Sequence, residues 1–363
     1  MTRIGLVGAG VISGTYLDHL AELSGVEVAA VADLDLTRAA AVAELRSGVR
    51  AMSPDELMAD PDVEIVLNLT IPAAHAPVST AALRAGKHVY GEKPLAADRA
   101  EAEQLVKLAE AAGLRIGCAP DTVLGTGTQT ARAALDRGDV GVPTAASASF
   151  VSPGHERWHP APEFYYRAGG GPLLDMGPYY VTSLVTLLGP VQRVTGWAGR
   201  AHEQRTVQAG PRAGETFPVE VPTHVTGVLE HESGALTTVL MSFDIWAARL
   251  PKIEIYGTEG TLSVPDPNTF DGVVEIATAE AREWTTLPVA GGYAGAGRGV
   301  GVADMARAIR TGGPHRADGA LAYHVLDVLE SLLEAAAQDR PVDVASTVAR
   351  PAAVPLGATP ATA

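Results

Sequence analysis

Through the first third of the chain, short apolar runs alternate with longer stretches in which apolar residues recur at helical spacing. The runs at residues 3–7, 26–32, 64–69, 87–90 and 114–119 predict strands. They are nearly continuous in apolar character, as strands covered on both faces must be, so the pattern predicts a parallel sheet with crossover helices. The intervening helices have readable starts. Ser53-Pro54-Asp55-Glu56 supplies an N-cap, a proline in the first turn and a capping-box glutamate, and Asp98 with Glu101 repeats the device. A helix over about residues 128–137, closed by Gly138, ends this part.

Beyond residue 144 the period changes from helical to alternating. Segments 144–151, 225–231, 236–243, 252–256 and 273–277, divided by turns such as Glu232-Ser233-Gly234, predict one large, mostly antiparallel sheet. Two late stretches, 301–311 and 321–338, return to helical spacing and are expected to pack back on the body. The residues after Pro341, rich in Ala, Pro and Thr, predict a mobile or surface-draped tail. The fold class is therefore α/β. A parallel-sheet domain is expected over residues 1–122, an α+β domain with a large, mostly antiparallel open sheet over 123–341, and a tail over 342–363.

Length supports two cores, since 363 residues exceed what a single hydrophobic core normally organises. Charge narrows the partners: a formal net charge of −15 without a basic patch repels phosphate backbones and anionic lipid, excluding nucleic acid and membrane surfaces. The single cysteine, Cys118, sits in an apolar run and cannot form an internal disulfide, which points to a reducing compartment. With no leader-like start and no apolar segment of about 18 residues, a cytoplasmic location is expected.

Gly8-Ala9-Gly10-Val11-Ile12-Ser13 follows the first strand and opens a helix. In that context the first glycine makes a tight turn and the second lets a pyrophosphate approach the backbone, while the helix N-terminus offers amide donors. Ser13 stands where a third glycine is usual. Taken alone the loop is also a plain strand-to-helix turn, but Asp33 ends the second strand about 20 residues on, where a carboxylate accepts hydrogen bonds from an adenosine ribose. A carboxylate there favours NAD over NADP. Arg38 keeps NADP possible, because it could fold over the ribose, or it is an ordinary solvated charge.

Three further stretches complete a pattern: Asn68-Leu69-Thr70-Ile71-Pro72 with His75, then Gly86-Lys87-His88-Val89-Tyr90-Gly91-Glu92-Lys93-Pro94, then Gly169-Gly170-Gly171-Pro172-Leu173-Leu174-Asp175-Met176-Gly177. Together with the Tyr256-Gly257-Thr258-Glu259-Gly260-Thr261 turn, they make the chain resemble, over nearly its whole length, the glucose-fructose oxidoreductase / inositol dehydrogenase (Gfo/Idh/MocA) family. The resemblance implies an N-terminal Rossmann domain, a second domain whose open sheet assembles a homo-dimer or homo-tetramer, and an active site between the two. It also implies NAD- or NADP-dependent hydride transfer on hydroxyls of a sugar, glycoside or cyclitol. Thr70, Pro72, His75, Glu92, Lys93 and Pro94 would border the cofactor, with Lys93 nearest the nicotinamide.

Many members carry histidine four residues after the aspartate matching Asp175, whereas this chain has Tyr179, as some branches do. A phenol starts near pKa 10, and a neighbouring ammonium favours its ionised form. The expected division of labour is that Tyr179 takes the hydroxyl proton, Lys93 polarises the same oxygen and Asp175 orients Lys93. Lys93 as the base is the alternative. Each residue also has an ordinary reading: Glu92-Lys93-Pro94 as a surface turn, Asp175 as a cap for a helix beginning near Pro178, Tyr179 as a helix aromatic.

His155-Glu156-Arg157-Trp158-His159 matches the His-Glu-x-x-His pattern of zinc peptidases, but flanking prolines indicate an irregular loop, so no metal is expected. The same loop suits a substrate wall, with Trp158 as a flat face and His155, His159 and Arg167 as polar contacts, or it is solvated. Asp121, Thr122 and Trp246 are further substrate candidates, and Arg298 could meet an anionic substrate. Besides a dehydrogenase, two functions stay open: a redox-neutral glycosidase with tightly held NAD, and a non-catalytic dinucleotide-binding sensor.

Overall fold

The computed structural model describes residues 1–361, which form two units. The first comprises Met1–Gln129, Val289–Leu326 and the residues from Pro351, and the second comprises Thr130–Pro288 and Asp327–Arg350. A single cut near residue 122 therefore does not describe the chain.

In the first unit the strands are β1 (Thr2–Val7), β2 (Val26–Ala32), β3 (Arg50–Met52), β4 (Ile65–Asn68), β5 (His88–Gly91) and β6 (Ile116–Cys118). They make one six-stranded sheet in the order β3-β2-β1-β4-β5-β6, every pair parallel. The helices between them are α1 (Val11–Leu20), α2 (Leu36–Glu44), α3 (Pro54–Ala59), α4 (Pro72–Arg84) and α5 (Arg99–Ala112). Both capping devices are present: Ser53 and Glu56 form a reciprocal box on α3, and Asp98 accepts from Glu101 N on α5. The short edge strand β3 lacks an apolar run and escapes the sequence pattern.

Alternate residues of each strand feed opposite layers. Ile4, Leu6, Val31, Ile65 and Leu67 pack with Tyr16, Leu17 and Leu20 of α1, and Val7, Ala32, Val66 and Val89 pack with α3, α4 and α5 through Leu57, Leu83 and Leu105. The first layer is completed from far along the chain by Val302, Met305 and Ala306 of α8 (Val300–Thr311). Burial of those apolar faces, at roughly 25 cal/mol per Å², is what recruits α8 to this unit.

The second unit has a nine-stranded sheet. After α6 (Thr126–Arg137), its strands are β7 (Pro143–Val151), β8 (Val191–Gly199), β11 (His224–His231), β12 (Leu236–Ser242), β13 (Ile253–Gly257), β14 (Gly260–Val264), β15 (Glu275–Thr278), β16 (Thr285–Thr286) and β17 (Val342–Asp343). The order is β16-β15-β14-β13-β7-β12-β11-β8-β17, antiparallel except for β7 with β12. A small hairpin of β9 (Gln204–Thr206) and β10 (Thr216–Pro218) stands apart. Alternation along β11 and β12 buries one face, where α7 (Gly171–Leu188) packs on β7, β11 and β12. Later residues of α9 (Gly319–Gln338) join it, because Gly196 and Gly227 clear the way: a Cβ at either would meet Leu332 Cδ1 at 2.6 Å.

Between residues 342 and 354 the tail is anchored, which favours the draped over the mobile of the two expectations. Val342 and Asp343 pair with β8, Val354 is buried with its N–H on Gln129 Oε1 at 2.8 Å, and Arg316 donates to the carbonyls of Ala352 and Ala353. Composition missed this because the partners are distant in sequence. No described helix is long and apolar enough to cross a membrane.

Candidate active site

The strand order of the first sheet reverses between β1 and β4, and ligands of open α/β sheets bind outside the carboxyl ends at such a point. Gly8 follows β1 there with φ +105°, and a Cβ on it would lie 2.7 Å from the Leu69 carbonyl, so only glycine fits. Gly10 is the N-cap of α1, has no side-chain cap, and would meet nothing within 4 Å if given a Cβ. The helix thus begins without a side-chain cap and with open space beside Gly10. Ser13 is buried and donates its hydroxyl to the Gly10 carbonyl at 2.7 Å, closing the turn that a third glycine would otherwise make.

Asp33 lies just past β2, where it accepts from Ala9 N at 2.8 Å and Asp35 N at 2.9 Å. It therefore ties the glycine loop to the second strand. Arg38 does not reach over this carboxylate; its Nε is 3.4 Å from Asp35, which caps α2. The Thr37 hydroxyl bonded to Asp35 holds that carboxyl below the usual carboxylate range. Around the loop, Val11, Ile12, Leu34 and Ile71 are exposed apolar residues. An amide-lined helix start, an acid at the end of β2 and an apolar rim are what a dinucleotide requires, and these residues fit NAD.

At the end of β4, Asn68 organises the next segment. Its amide donates to His75 O and Ser79 Oγ, while its carbonyl accepts from Thr70 N and Thr70 Oγ1. Pro72 is exposed in the first turn of α4, and the buried His75 ring lies between Pro94 O at 2.6 Å and Thr70 O at 3.0 Å. Glu92 follows β5 and is held on two sides, by the Tyr16 hydroxyl at 2.7 Å and by Lys93 N at 3.0 Å. Burial and then the Glu92 charge push the Tyr16 phenol well above its ordinary pKa, so it stays a donor. Lys93 is half-buried, and its peptide bond to Pro94 is cis.

Asp121 and Thr122 are fully buried, contrary to the expectation of open hydroxyl ligands. The Asp121 carboxylate accepts from Gly299 N and Gly301 N, both at 3.0 Å, because two turns of backbone there need an acceptor. Burial raises its pKa against the pull of Arg298.

In the second unit, α7 starts at Gly171 with Pro172 in its first turn and runs through Pro178. Asp175 is thus inside the helix, not a cap, and Tyr179 follows one turn later on the same face. Asp175 Oδ2 is 3.0 Å from Nε2 of His155. His155-Glu156-Arg157 forms a short 3-10 turn, Glu156 is ion-paired to Arg205 at 2.7 Å, and His159 Nδ1 accepts from Ala161 N, so the motif does not present two imidazoles on one helix face. Trp158 is 58% exposed, Trp246 is 74% exposed with the Arg157 guanidinium 4.6 Å above its ring, and Arg167 is exposed. His155 alone of this loop's candidates turns inward.

Sequence reasoning missed Tyr16 and Arg205. Tyr16 reads as an apolar helix position, and its contact with Glu92 spans 76 residues. Arg205 lies in a polar stretch yet is buried between Glu156 and Asp244, with nothing in the local pattern to mark it.

Residues 2–119 match the model of the oxidoreductase family with an NAD-binding Rossmann fold, and residues 128–263 match the GFO/IDH/MocA C-terminal domain. The chain is 30% identical over 296 residues to dTDP-3,4-didehydro-2,6-dideoxy-alpha-D-glucose 3-reductase of Actinomadura kijaniata, covering 79% of this chain and 82% of that protein. It is 29% identical to 1,5-anhydro-D-fructose reductase of Ensifer adhaerens, covering 80% and 83%. Among solved structures, an NAD binding oxidoreductase from Klebsiella pneumoniae superposes with a TM-score of 0.81 at 26% identity, covering 95% of this chain and 99% of that one.

Proposed function

Because the chain belongs to the GFO/IDH/MocA family of NAD-binding oxidoreductases, we propose that it moves hydride between NAD and a secondary hydroxyl of a sugar, glycoside or cyclitol. The observation that carries this reading is the seating of Lys93. It follows β5 on the same carboxyl edge as the glycine loop, between Glu92, braced by Tyr16, and Pro94, whose carbonyl meets His75. A lysine whose backbone is fixed between two such braced neighbours suits chemistry beside a dinucleotide better than a solvated turn does.

Bound NAD supplies the hydride acceptor. Lys93 polarises the reacting oxygen, Asp175 orients the ammonium and Tyr179 accepts the hydroxyl proton; in the reductive direction the same groups return it. Trp158 and Trp246 offer flat faces to a sugar ring, with His159 and Arg167 as polar contacts. Asp33, with Arg38 engaged by Asp35, favours NAD over NADP.

The face of the nine-stranded sheet that carries the exposed Trp197 is assigned to a homo-dimer or homo-tetramer contact. The one cysteine, Cys118, is buried as a thiol, which suits the cytoplasm.

The test is reduction of NAD and of NADP by the purified protein across sugars, glycosides and cyclitols, with aglycone release followed in parallel. NADH formation with one substrate class supports the reading. Aglycone release without NADH overturns it in favour of redox-neutral cleavage, and silence despite dinucleotide binding favours a sensor.

A further inference from the structure

His155 Nε2 lies 3.0 Å from Asp175 Oδ2, and the other ring nitrogen, Nδ1, lies 3.3 Å from the indole nitrogen of Trp158. An indole nitrogen can only donate. Nδ1 must then present its lone pair, so the ring proton sits on Nε2 and is directed at the carboxylate. The bonds run one way, from Trp158 through His155 to Asp175.

This imidazole is seated from several sides. The backbone N–H of His155 donates to the Tyr166 hydroxyl at 3.1 Å, Tyr166 donates to Glu156, and Arg205 grips Glu156 at 2.7 Å. Its ring centroid is 4.4 Å from that of Phe243 and 4.5 Å from that of Tyr165. His155 is only 8% exposed, whereas Trp158 beside it is largely open. The chain of bonds therefore has an outer end on an accessible aromatic face and an inner end on a helical carboxylate.

We propose that His155 and Trp158 are positioning residues: His155 fixes the orientation of Asp175, and Trp158 couples occupation of its exposed face to that orientation through its N–H. The role assigned to Asp175 rests on the dehydrogenase reading above. Trp158 is then more than a wall. A ring stacked on the indole holds it in the position where its N–H reaches Nδ1, so substrate binding and Asp175 geometry tighten together.

Trp158→Phe keeps a flat apolar face and removes only the donor. The expected result is a fall in kcat of about 10-fold, in the range typical for partners one bond behind a functional group, with KM within about 2-fold. A wall alone predicts unchanged kcat, and that result overturns the proposal while leaving the dehydrogenase reading intact. His155→Gln retains an acceptor and a donor, so it should recover most of the turnover lost in His155→Phe; equal loss in both, with matched melting curves, also overturns it. A second readout needs no substrate. In protein carrying 15N-histidine, two-bond 1H–15N correlations, assigned with His155→Gln, should show Nε2 protonated and Nδ1 bare, with Nδ1 shifting in Trp158→Phe. An Nδ1-protonated ring, or no shift, overturns the proposal whether or not any sugar reduces NAD.

Discussion

The Tyr16 hydroxyl donates to Glu92 Oε1 at 2.7 Å, joining the first helix to the residue before Lys93. Through it, the helix whose N-terminus is suited to a pyrophosphate also carries the support of the lysine segment. Tyr16→Phe keeps the ring and deletes the donor. It should cost about 1–3 kcal/mol of stability, read from a urea midpoint, because a half-buried carboxylate loses its partner from the core, and should lower turnover without abolishing NAD binding. Unchanged turnover would show that Glu92 needs no brace.

Asp33 accepts the Ala9 amide and, in the proposed reading, presents a charge to the ribose. Asp33→Ser should raise the KM for NAD and improve NADP relative to NAD, and adding Asp35→Asn should extend the gain by freeing Arg38 from its 3.4 Å partner. Comparing kcat/KM for both cofactors in the two variants checks this; an unmoved ratio places selectivity elsewhere.

Lys93→Ala should reduce turnover by about 10²–10⁴-fold, the span of a lost acid–base contribution, with the Kd for NAD little changed. Tyr179→Phe should act similarly, since the ring is kept and only the proton acceptor goes. Full activity in Tyr179→Phe would transfer the proton to Lys93.

Arg205 is buried between Glu156 and Asp244, with side-chain exposures of 6%, 6% and 9%. Arg205→Met leaves two buried carboxylates facing each other. The expected cost is about 3–5 kcal/mol, read from denaturant unfolding, and the seat of His155 should loosen with it. A change under about 1 kcal/mol would mean that water replaces the guanidinium.

Much of the architecture is local in origin, and that part was legible. All strands of the first sheet but β3, the capped helices, the glycine loop and Asp33 follow from periodicity and from residue types at fixed spacing, because helix and strand faces repeat every 3.6 and 2 residues. The alternating strands β7, β11, β12, β13 and β15 of the second sheet were visible for the same reason, although β8, β14 and the two-residue strands β16 and β17 were not. Lys93, Asp175 and Tyr179 were marked by their neighbours in sequence, as the family motifs are contiguous.

What the sequence alone determined, then, was the class of fold, the cofactor loop and the residues to suspect. Tertiary structure decided what those residues touch. It enclosed Asp121 against the amides of Gly299 and Gly301, anchored the tail through Gln129 and Arg316, lent α8 to the first unit, and turned His155 from a loop residue into the partner of Asp175. Each of these contacts joins positions far apart in the chain. No local periodicity encodes such a pairing; burial of apolar faces sets the distance, and the demand that buried polar groups find partners then selects it.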